Sequence, residues 1–399
     1  MEVMGAWWER NGRAVAGAGL LGVLFVATGV LAAVGSGGAR PGSTGGAESP
    51  ALNSSSSTTM SADGREVASG FRATGVWFID ESQGWVIGGG CGPGRCARFM
   101  RTSDGGRSWE PLAAPSIAGT GKADDVTDVR FADPRNGWAF DRGLWSTHDG
   151  GATWHAVDVG SPVLSLETAG STVYALLGSC RVSRSDCRGP VRLYQASVES
   201  DDWRPVFDID VGSPASPNGR LVVSGPAVYA LVHPHYGSPR PGKPPTLYAL
   251  SAAGRWEPRP LPASCWLGGV LAAASPGNLF LSCQTGDGAG GSAPHEFHVS
   301  RDGGVRWTRT WEGRSVYFGP IVVTSDAKFL AESTEDLRID RPDGSRQYQR
   351  FTYSPELRCG ERIHALQFVT GRQGVALTCH QLYITRDAGH RWDLVPLEL

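Results

Sequence analysis

The hydrophobic positions of this chain form two distinct patterns. Residues Ala14–Val34 are 21 consecutive residues without a charged side chain, whereas beyond residue 66 the apolar residues come in short runs separated by polar, Gly-rich turns. Short runs bounded by turn residues predict β-strands. No helical period of useful length follows residue 34. The pattern therefore predicts one apolar helix near the N-terminus followed by an all-β region.

The apolar N-terminal run is long enough to cross a membrane. At 1.5 Å per residue it spans about 30 Å, the thickness of the hydrocarbon core. Arg10 and Arg13 precede it, which favours a cytoplasmic N-terminus and export of the chain beyond the run. A signal peptide cleaved near Ala33–Gly38 is the alternative, but the run is long for one. We expect a single-pass anchor in the cytoplasmic membrane with the folded part outside the cytoplasm. Secretion after cleavage is the alternative location.

A tether separates this segment from the folded part. Gly, Ser, Thr, Ala and Pro dominate the sequence after the apolar run, and such a composition cannot bury a core. The predicted divisions are a short cytoplasmic N-terminus (1–13), the transmembrane helix or signal anchor (14–34), a flexible linker (35–66) and a β-domain (67–399).

One turn sequence recurs four times in the β-domain, with the pattern Ser/Thr-x-Asp-x-Gly-x-x-Trp. The Asp can accept bonds from backbone N–H groups further along the turn. The Gly can adopt a positive φ, and the Trp begins the return strand and can pack on a neighbouring unit. A calcium loop would need several oxygen ligands, and each copy has one carboxylate. The pattern therefore predicts a structural turn, whose residues are Asp104, Gly106 and Trp109; Asp149, Gly151 and Trp154; Asp302, Gly304 and Trp307; Asp387, Gly389 and Trp392.

The spacing of these tryptophans predicts the number of units. Trp203 and Trp256 stand where degenerate copies should have theirs, so the Trp series 109, 154, 203, 256 and 307 has steps of 45, 49, 53 and 51 residues. Between Trp307 and Trp392 there is room for one more unit, centred on the turn Arg341–Ser345. A second pattern, Phe-x-Asp-x-x-x-Gly-Trp, begins at Phe78 and at Phe131, with a weaker copy from Phe368.

Together the two patterns give four strands about every 45 residues, which is typical of a β-propeller. The predicted fold is all-β: a seven-bladed propeller of four-stranded antiparallel blades, preceded by one N-terminal transmembrane helix and a disordered linker. The two patterns in combination resemble the photosystem II assembly/stability factor family, within the wider sialidase-like superfamily of Asp-box (bacterial neuraminidase, BNR) repeat propellers. The resemblance covers roughly residues 70–399. It implies the fold and no particular activity, because propellers serve many functions.

Eight cysteines in a chain expected to be exported indicate disulfides. Two of the predicted cysteine pairs flank the loop between the second and third strands of a four-stranded unit. The other two pairs join the start of a unit's first strand to the end of its second strand, because antiparallel neighbours place those ends side by side. The predicted bridges are Cys91–Cys96, Cys180–Cys187, Cys265–Cys283 and Cys359–Cys379. A zinc site would need ligands converging from different blades, and no C-x-x-C is present. We expect no metal and no cofactor.

The predicted disulfides lie on the face of the propeller opposite the recurrent turns. The same face as the disulfides carries the longer loops. Long loops on a rigid scaffold commonly carry binding sites. The basic residues there could be a solvated rim or a docking patch for an acidic protein segment, polysaccharide or lipid headgroup, with aromatic anchors beside them. The candidate binding residues are Arg95, Arg181, Arg184, Arg188, His233, His235, Tyr236, Arg240, Lys243 and Trp266.

No catalytic residues are assigned. A sialidase would need an arginine triad and a Tyr/Glu pair, and neither can be placed. His233-x-His235 and His295-x-x-His298 have no evident third metal ligand.

Glycosidases other than sialidases need paired carboxylates, but sequence alone pairs none of Asp124, Asp125, Asp186, Asp287 and Glu361. A net charge of −2 gives no field for nucleic acid.

We therefore expect a non-catalytic, extracytoplasmic binding or assembly-scaffold propeller tethered to the membrane. It would be monomeric, with a protein or polysaccharide partner on the long-loop face. A carbohydrate-active glycoside hydrolase is the alternative. Two carboxylates about 5–10 Å apart in the central pocket would favour the enzyme.

Overall fold

The computed structural model describes residues 59–60, 66–67, 71–89, 97–115, 126–178, 190–212, 218–234, 243–286, 293–315, 320–323, 330–333, 336–340, 346–350, 363–378 and 381–397. The predicted membrane helix and nearly all of the predicted linker lie outside these residues. Within them, no helix is long and apolar enough to cross a membrane.

The described residues form strands almost throughout. Two short strands, β1 (Thr59–Met60) and β2 (Glu66–Val67), come before seven four-stranded antiparallel sheets, numbered here in chain order. Sheet 1 contains β3 (Arg72–Phe78), β4 (Gly84–Gly89), β5 (Ala97–Thr102) and β6 (Glu110–Leu112). Sheet 2 contains β7 (Val126–Phe131), β8 (Gly137–Asp141), β9 (Leu144–Thr147) and β10 (His155–Val157). Sheet 3 contains β11 (Val163–Ala169), β12 (Thr172–Leu177), β13 (Val191–Ser197) and β14 (Arg204–Ile209).

The remaining sheets repeat this arrangement. Sheet 4 contains β15 (Asn218–Ser224), β16 (Ala227–His233), β17 (Thr246–Leu250) and β18 (Trp256–Arg259). Sheet 5 follows a single 3-10 turn, η1 (Ala263–Leu267), and contains β19 (Gly269–Ser275), β20 (Asn278–Gln284), β21 (Ala293–Ser300) and β22 (Thr308–Ser315). Sheet 6 contains β23 (Ile321–Val323), β24 (Leu330–Ser333), β25 (Asp336–Asp340) and β26 (Arg346–Arg350). Sheet 7 contains β27 (Ile363–Phe368), β28 (Gly374–Thr378), β29 (Gln381–Thr385) and β30 (Asp393–Val395).

The first strands of the sheets contact one another in a cycle, β3–β7–β11–β15–β19–β23–β27 and back to β3. Each sheet is hydrogen-bonded in its chain order. The first strands therefore surround a central channel, and the fourth strands lie outermost. This architecture confirms the prediction of an all-β propeller built from four-stranded antiparallel blades.

The hydrophobic core lies between neighbouring sheets. The ring of Trp85 stacks on Phe131 of the next sheet, with centroids 3.7 Å apart and planes 1° from parallel. Gly137 makes room for Phe131, because a Cβ at this glycine would overlap the Phe131 ring. Gly84 and Gly374 stand in the same relation to Phe78 and Phe368. This is the physical reason for the Phe and Gly positions of the second sequence pattern.

The recurrent turns have the predicted geometry. In the first, Asp104 Oδ1 accepts the backbone N–H groups of Arg107 and Ser108, each at 2.9 Å, while Gly106 donates to Thr102 Oγ1 at 2.8 Å. The glycines at 106, 151, 304 and 389 all have positive φ, between 79° and 94°. These contacts account for every fixed position of the pattern except the Trp.

The two arginines that replace Ser or Thr before the Trp behave differently. Arg306 Nε lies 3.1 Å from Asp302 Oδ2 and so takes the place of the hydroxyl that Ser108 donates to Asp104 Oδ2. Arg391 Nε instead bonds Asp393 Oδ1 at 2.9 Å.

The tryptophans pack on the preceding sheet, as predicted. Trp154 donates its Nε1–H to Ala113 O at 2.9 Å and meets Phe99 edge-on at 5.1 Å. Trp307 donates to Pro260 O at 2.8 Å. In the degenerate copies, Trp203 packs edge-on against Trp138, and Trp256 packs against Tyr174. The Trp spacing therefore located strands whose turns have lost the rest of the pattern.

The turn carboxylates stabilise the fold in a pH-dependent way. Partial burial raises the pKa of Asp149, but bonds from Thr153 and Thr147 outweigh this and lower it to about 2. The pKa of an Asp in the unfolded chain is about 3.9. This stabilisation is therefore present above pH 4 and is lost as the pH falls towards 2. We expect Asp149→Asn to cost about 1 kcal/mol at pH 7, a value reduced for solvent screening of this exposed group.

The measurement is urea unfolding of both proteins between pH 2.5 and 7. The difference between wild type and Asp149→Asn should shrink as the pH falls below 4. Asp158→Asn is the control, because this exposed carboxylate accepts one N–H, from Gly160. A difference that stays constant with pH would contradict the carboxylate role.

Candidate binding site

Antiparallel sheets give the propeller two faces. The recurrent turns join the third and fourth strands and lie on one face, here called the turn face. The opposite face carries the connections between second and third strands and between successive sheets; it is called the loop face.

Most of the sequence-predicted binding residues fall outside the described part of the chain. This applies to Arg95, Arg181, Arg184, Arg188, His235, Tyr236 and Arg240, and to the acidic candidates Asp124, Asp125, Asp186, Asp287 and Glu361. The structure places the other three, His233, Lys243 and Trp266, and all three lie towards the loop face.

His233 ends β16 and is 4% exposed. Burial lowers its pKa, and a hydrogen bond with the backbone of Gly269 offsets this only in part, leaving the pKa at about 4. The imidazole is therefore neutral near pH 7. It lines the central channel and packs against Gly268, so it belongs to the interior rather than to an exposed binding loop.

Lys243 is exposed and forms an ion pair between its Nζ and Asp210 Oδ2. Asp210 follows β14, in the connection to the next sheet on the same face. The sequence analysis did not identify Asp210 as a partner of the basic loop residues. The positive charge of Lys243 is therefore partly neutralised.

Trp266 is the most prominent apolar side chain among the described residues of this face. It lies on η1 and is 50% exposed. Cys265 beside it is bonded to Cys283 of β20, with Cα atoms 4.9 Å apart. Cys265 thus lies in the turn before β19 rather than at the start of that strand as predicted, since Pro260 and Pro262 fall just before it and Gly268 ends the turn at φ 119°. The other six cysteines lie outside the described residues.

The central channel has a volume of about 580 Å³ and contains a charged cluster that the sequence interpretation missed. Arg130 of β7 lies over the ring of Trp77, 4.1 Å from its centroid. Its Nη2 is 3.1 Å from Glu167 Oε1 of sheet 3, and its Nη1 is 3.3 Å from Asp128 Oδ1. One guanidinium therefore bridges two carboxylates and two sheets.

The guanidinium of Arg130 is held in its charged form. Burial alone lowers the pKa of Arg130, but the charges of Glu167 and Asp128 outweigh it and raise the pKa. Among the described residues lining the channel, Asp128 and Glu167 are the only carboxylates. Charged residues inside a predicted innermost strand were the sequence signal that could have revealed the cluster.

No family model matches the chain, and no curated protein matches it. Several solved structures resemble it in fold. YCF48 bound to D1 peptide matches with a TM-score of 0.52 at 16% identity, covering 80% of this chain and 95% of that one. YCF48 from Cyanidioschyzon merolae matches with a TM-score of 0.51 at 12% identity, covering 81% and 98%.

A streptogramin B lyase matches with a TM-score of 0.52 at 8% identity, covering 82% of this chain and 94% of that one. Similar folds thus occur in an enzyme and in a peptide-bound protein. At these identities the likeness establishes the β-propeller fold alone.

Proposed function

We propose that this chain is a seven-bladed Asp-box propeller that binds a protein partner on its loop face and is tethered by residues 14–34 to the outer side of the cytoplasmic membrane. The observation that carries the proposal is that both carboxylates of the central channel are paired with one arginine. Arg130 pairs with both Asp128 and Glu167. The two carboxylates meet the proximity condition stated above for a glycosidase. That reaction also needs one carboxyl as proton donor and the other as base or nucleophile, whereas here both carboxylates accept from the same guanidinium.

The loop face supports a binding role. Trp266 is exposed on a turn that is covalently fixed to β20, and a rigid aromatic side chain is a common interface anchor. The sequence adds arginines to loops of the same face, which would attract an acidic segment. A neighbour in fold, YCF48, has been solved with a peptide bound, which supports a polypeptide rather than a polysaccharide as the partner.

The test compares the two faces by crosslinking. A photoreactive amino acid replaces Trp266 in the full-length protein, and in a control it replaces Val305, which is 46% exposed in a recurrent turn on the opposite face. We expect a covalent adduct with a polypeptide from position 266 and not from position 305. Changing Arg181, Arg184 and Arg188 together to Glu should lower its yield at least tenfold.

Equal crosslinking at both positions, or a yield unchanged by the triple substitution, would contradict the loop-face proposal. A separate assay addresses the hydrolase alternative. The wild-type protein should release no more reducing ends from a panel of polysaccharides than Glu167→Gln does, and an activity lost in Glu167→Gln would favour the enzyme.

A further inference from the structure

Sheet 5 brings together three side chains with metal-ligand chemistry. Cys265 lies on η1, Cys283 on β20 and His298 on β21, and one potential ligand atom of each lies within 4.8 Å of the others. All three residues are buried, with exposures of 3%, 0% and 6%. The sequence interpretation expected zinc ligands to come from different blades; here a single sheet and its preceding turn supply them.

Polar groups surround this cluster in an ordered chain. His298 Nε2 lies 3.1 Å from Glu296 Oε2 and 3.4 Å from Ser264 Oγ. Glu296 Oε1 in turn accepts from Arg309 Nη1 at 3.1 Å. A structural disulfide needs only apolar packing, and a buried imidazole paired with a largely buried carboxylate beside it carries a desolvation cost. Arg309, whose side chain is 55% exposed, contacts that carboxylate from the solvent side. A histidine–carboxylate pair is the usual support of a metal-binding histidine, because the carboxylate fixes the orientation of the ring and raises its basicity.

We propose that Cys265, Cys283 and His298 are the protein ligands of a redox-gated zinc site, with Glu296 as the residue that positions His298. Two thiolates and an imidazole are the ligand types that select Zn²⁺. A water molecule takes the fourth position. The disulfide state described above and the zinc state are two states of the same cysteine pair.

The interconversion balances with a dithiol reductant. The dithiol transfers two electrons and two protons to the Cys265–Cys283 bond, giving two thiols and leaving the reductant as its own disulfide. Zn²⁺ then displaces the two thiol protons, which pass to solvent as the two Zn–S bonds form. A disulfide oxidant reverses the sequence: it takes two electrons from the two thiolates and two protons from solvent, becomes a dithiol, and leaves the Cys265–Cys283 disulfide and free Zn²⁺.

The position of η1 provides an access route to the buried sulfurs. The turn has one hydrogen bond from Cys265 N to Pro262 O and one from Gly268 N to Cys265 O. Such a short 3-10 turn is held by few backbone bonds, so little besides the disulfide keeps it in place. Reduction removes the covalent link that holds Cys265 to β20, so the same step that creates the thiols also frees the turn.

The test uses Co²⁺ as a spectroscopic substitute for Zn²⁺. The full-length chain in detergent is reduced with a phosphine under argon and titrated with Co²⁺. We expect the wild type to show one more equivalent bound than Cys265→Ser/Cys283→Ser, with a thiolate-to-cobalt charge-transfer band. The double variant accounts for binding by the other six cysteines. The oxidised protein should lack this additional equivalent.

Two further variants test the imidazole and its support. His298→Ala should weaken Co²⁺ binding at least tenfold, and Glu296→Gln about tenfold, as is usual for partners of metal-binding histidines. His155→Ala, in the exposed position at the start of β10, is the control and should bind as the wild type does. If His298→Ala fails to fold, zinc X-ray absorption of the reduced wild type replaces that test. The wild type should show two more sulfur ligands, at about 2.3 Å from zinc, than the double cysteine variant does.

The proposal is overturned if the double cysteine variant binds as much Co²⁺ as the wild type, or if the oxidised and reduced proteins bind equally. It is also overturned if Co²⁺ affinity is unaffected in folded His298→Ala.

Discussion

Gly151→Ala is expected to destabilise the protein by about 3 kcal/mol, as the sum of backbone strain of about 1–2 kcal/mol and overpacking of about 1–3 kcal/mol. Gly151 has a φ of 94°. A Cβ there would collide with the ring of Phe99, which is 1% exposed and packed between Phe131 and Trp154. The methyl group would therefore wedge apart sheets 1 and 2. Guanidinium unfolding monitored by tryptophan fluorescence measures the loss.

Gly160→Ala is the matched control. Gly160 also has a positive φ, of 71°, but a Cβ there would meet no atom within 4 Å. It should cost only the backbone strain of about 1 kcal/mol. Equal losses from the two substitutions would show that the contact with Phe99 relaxes freely.

Glu167→Ala is expected to destabilise the protein by about 3 kcal/mol, because it leaves Arg130 with only part of its counter-charge inside the channel. The side chains of Arg130 and Glu167 are 14% and 15% exposed. The loss should fall substantially in the double variant Arg130→Met/Glu167→Ala, since removing both charges also removes the uncompensated burial. With the single variant Arg130→Met measured as well, the same unfolding experiment gives the coupling energy.

The control is an ion pair on the outside of the propeller. Arg192 and Asp208 lie 3.6 Å apart with side chains 49% and 61% exposed, so Asp208→Ala should change stability by less than about 1 kcal/mol. If Glu167→Ala had an effect as small as this, Arg130 would not act as a link between sheets 2 and 3.

The fold could be predicted because its strongest determinants are local. An Asp that accepts two N–H groups four residues or fewer ahead, and a Gly with positive φ, act within one turn, so they leave a pattern in the sequence. The Trp positions survive in the degenerate copies because they are required for packing between sheets. Trp203 and Trp256 keep this role after their turns have lost the Asp and Gly.

The candidate sites could not be predicted in the same way because they depend on contacts between distant residues. Charged residues in innermost strands mark the positions of Arg130 and Glu167, but the two are 37 residues apart, and the sequence does not show that they pair with each other. Asp210 and Lys243 are 33 residues apart and come together because successive sheets share the loop face. The Cys265, Cys283 and His298 cluster lacks the close spacing of common zinc motifs, since a 3-10 turn and two strands supply the ligands.

Each of the seven sheets is drawn from one continuous segment of 30 to 47 residues, and among the described residues none borrows a strand from another part of the chain. Sheets 1 and 7 are joined instead by side-chain contacts, in which Gln367 bonds both the N–H and the C=O of Phe78. In genetic terms, the smallest self-contained unit of change is a whole sheet with its turn. Duplication or loss of such a segment leaves the strands of every remaining sheet together. In a propeller with one sheet built from both ends of the chain, the same change would also have to keep those two ends paired.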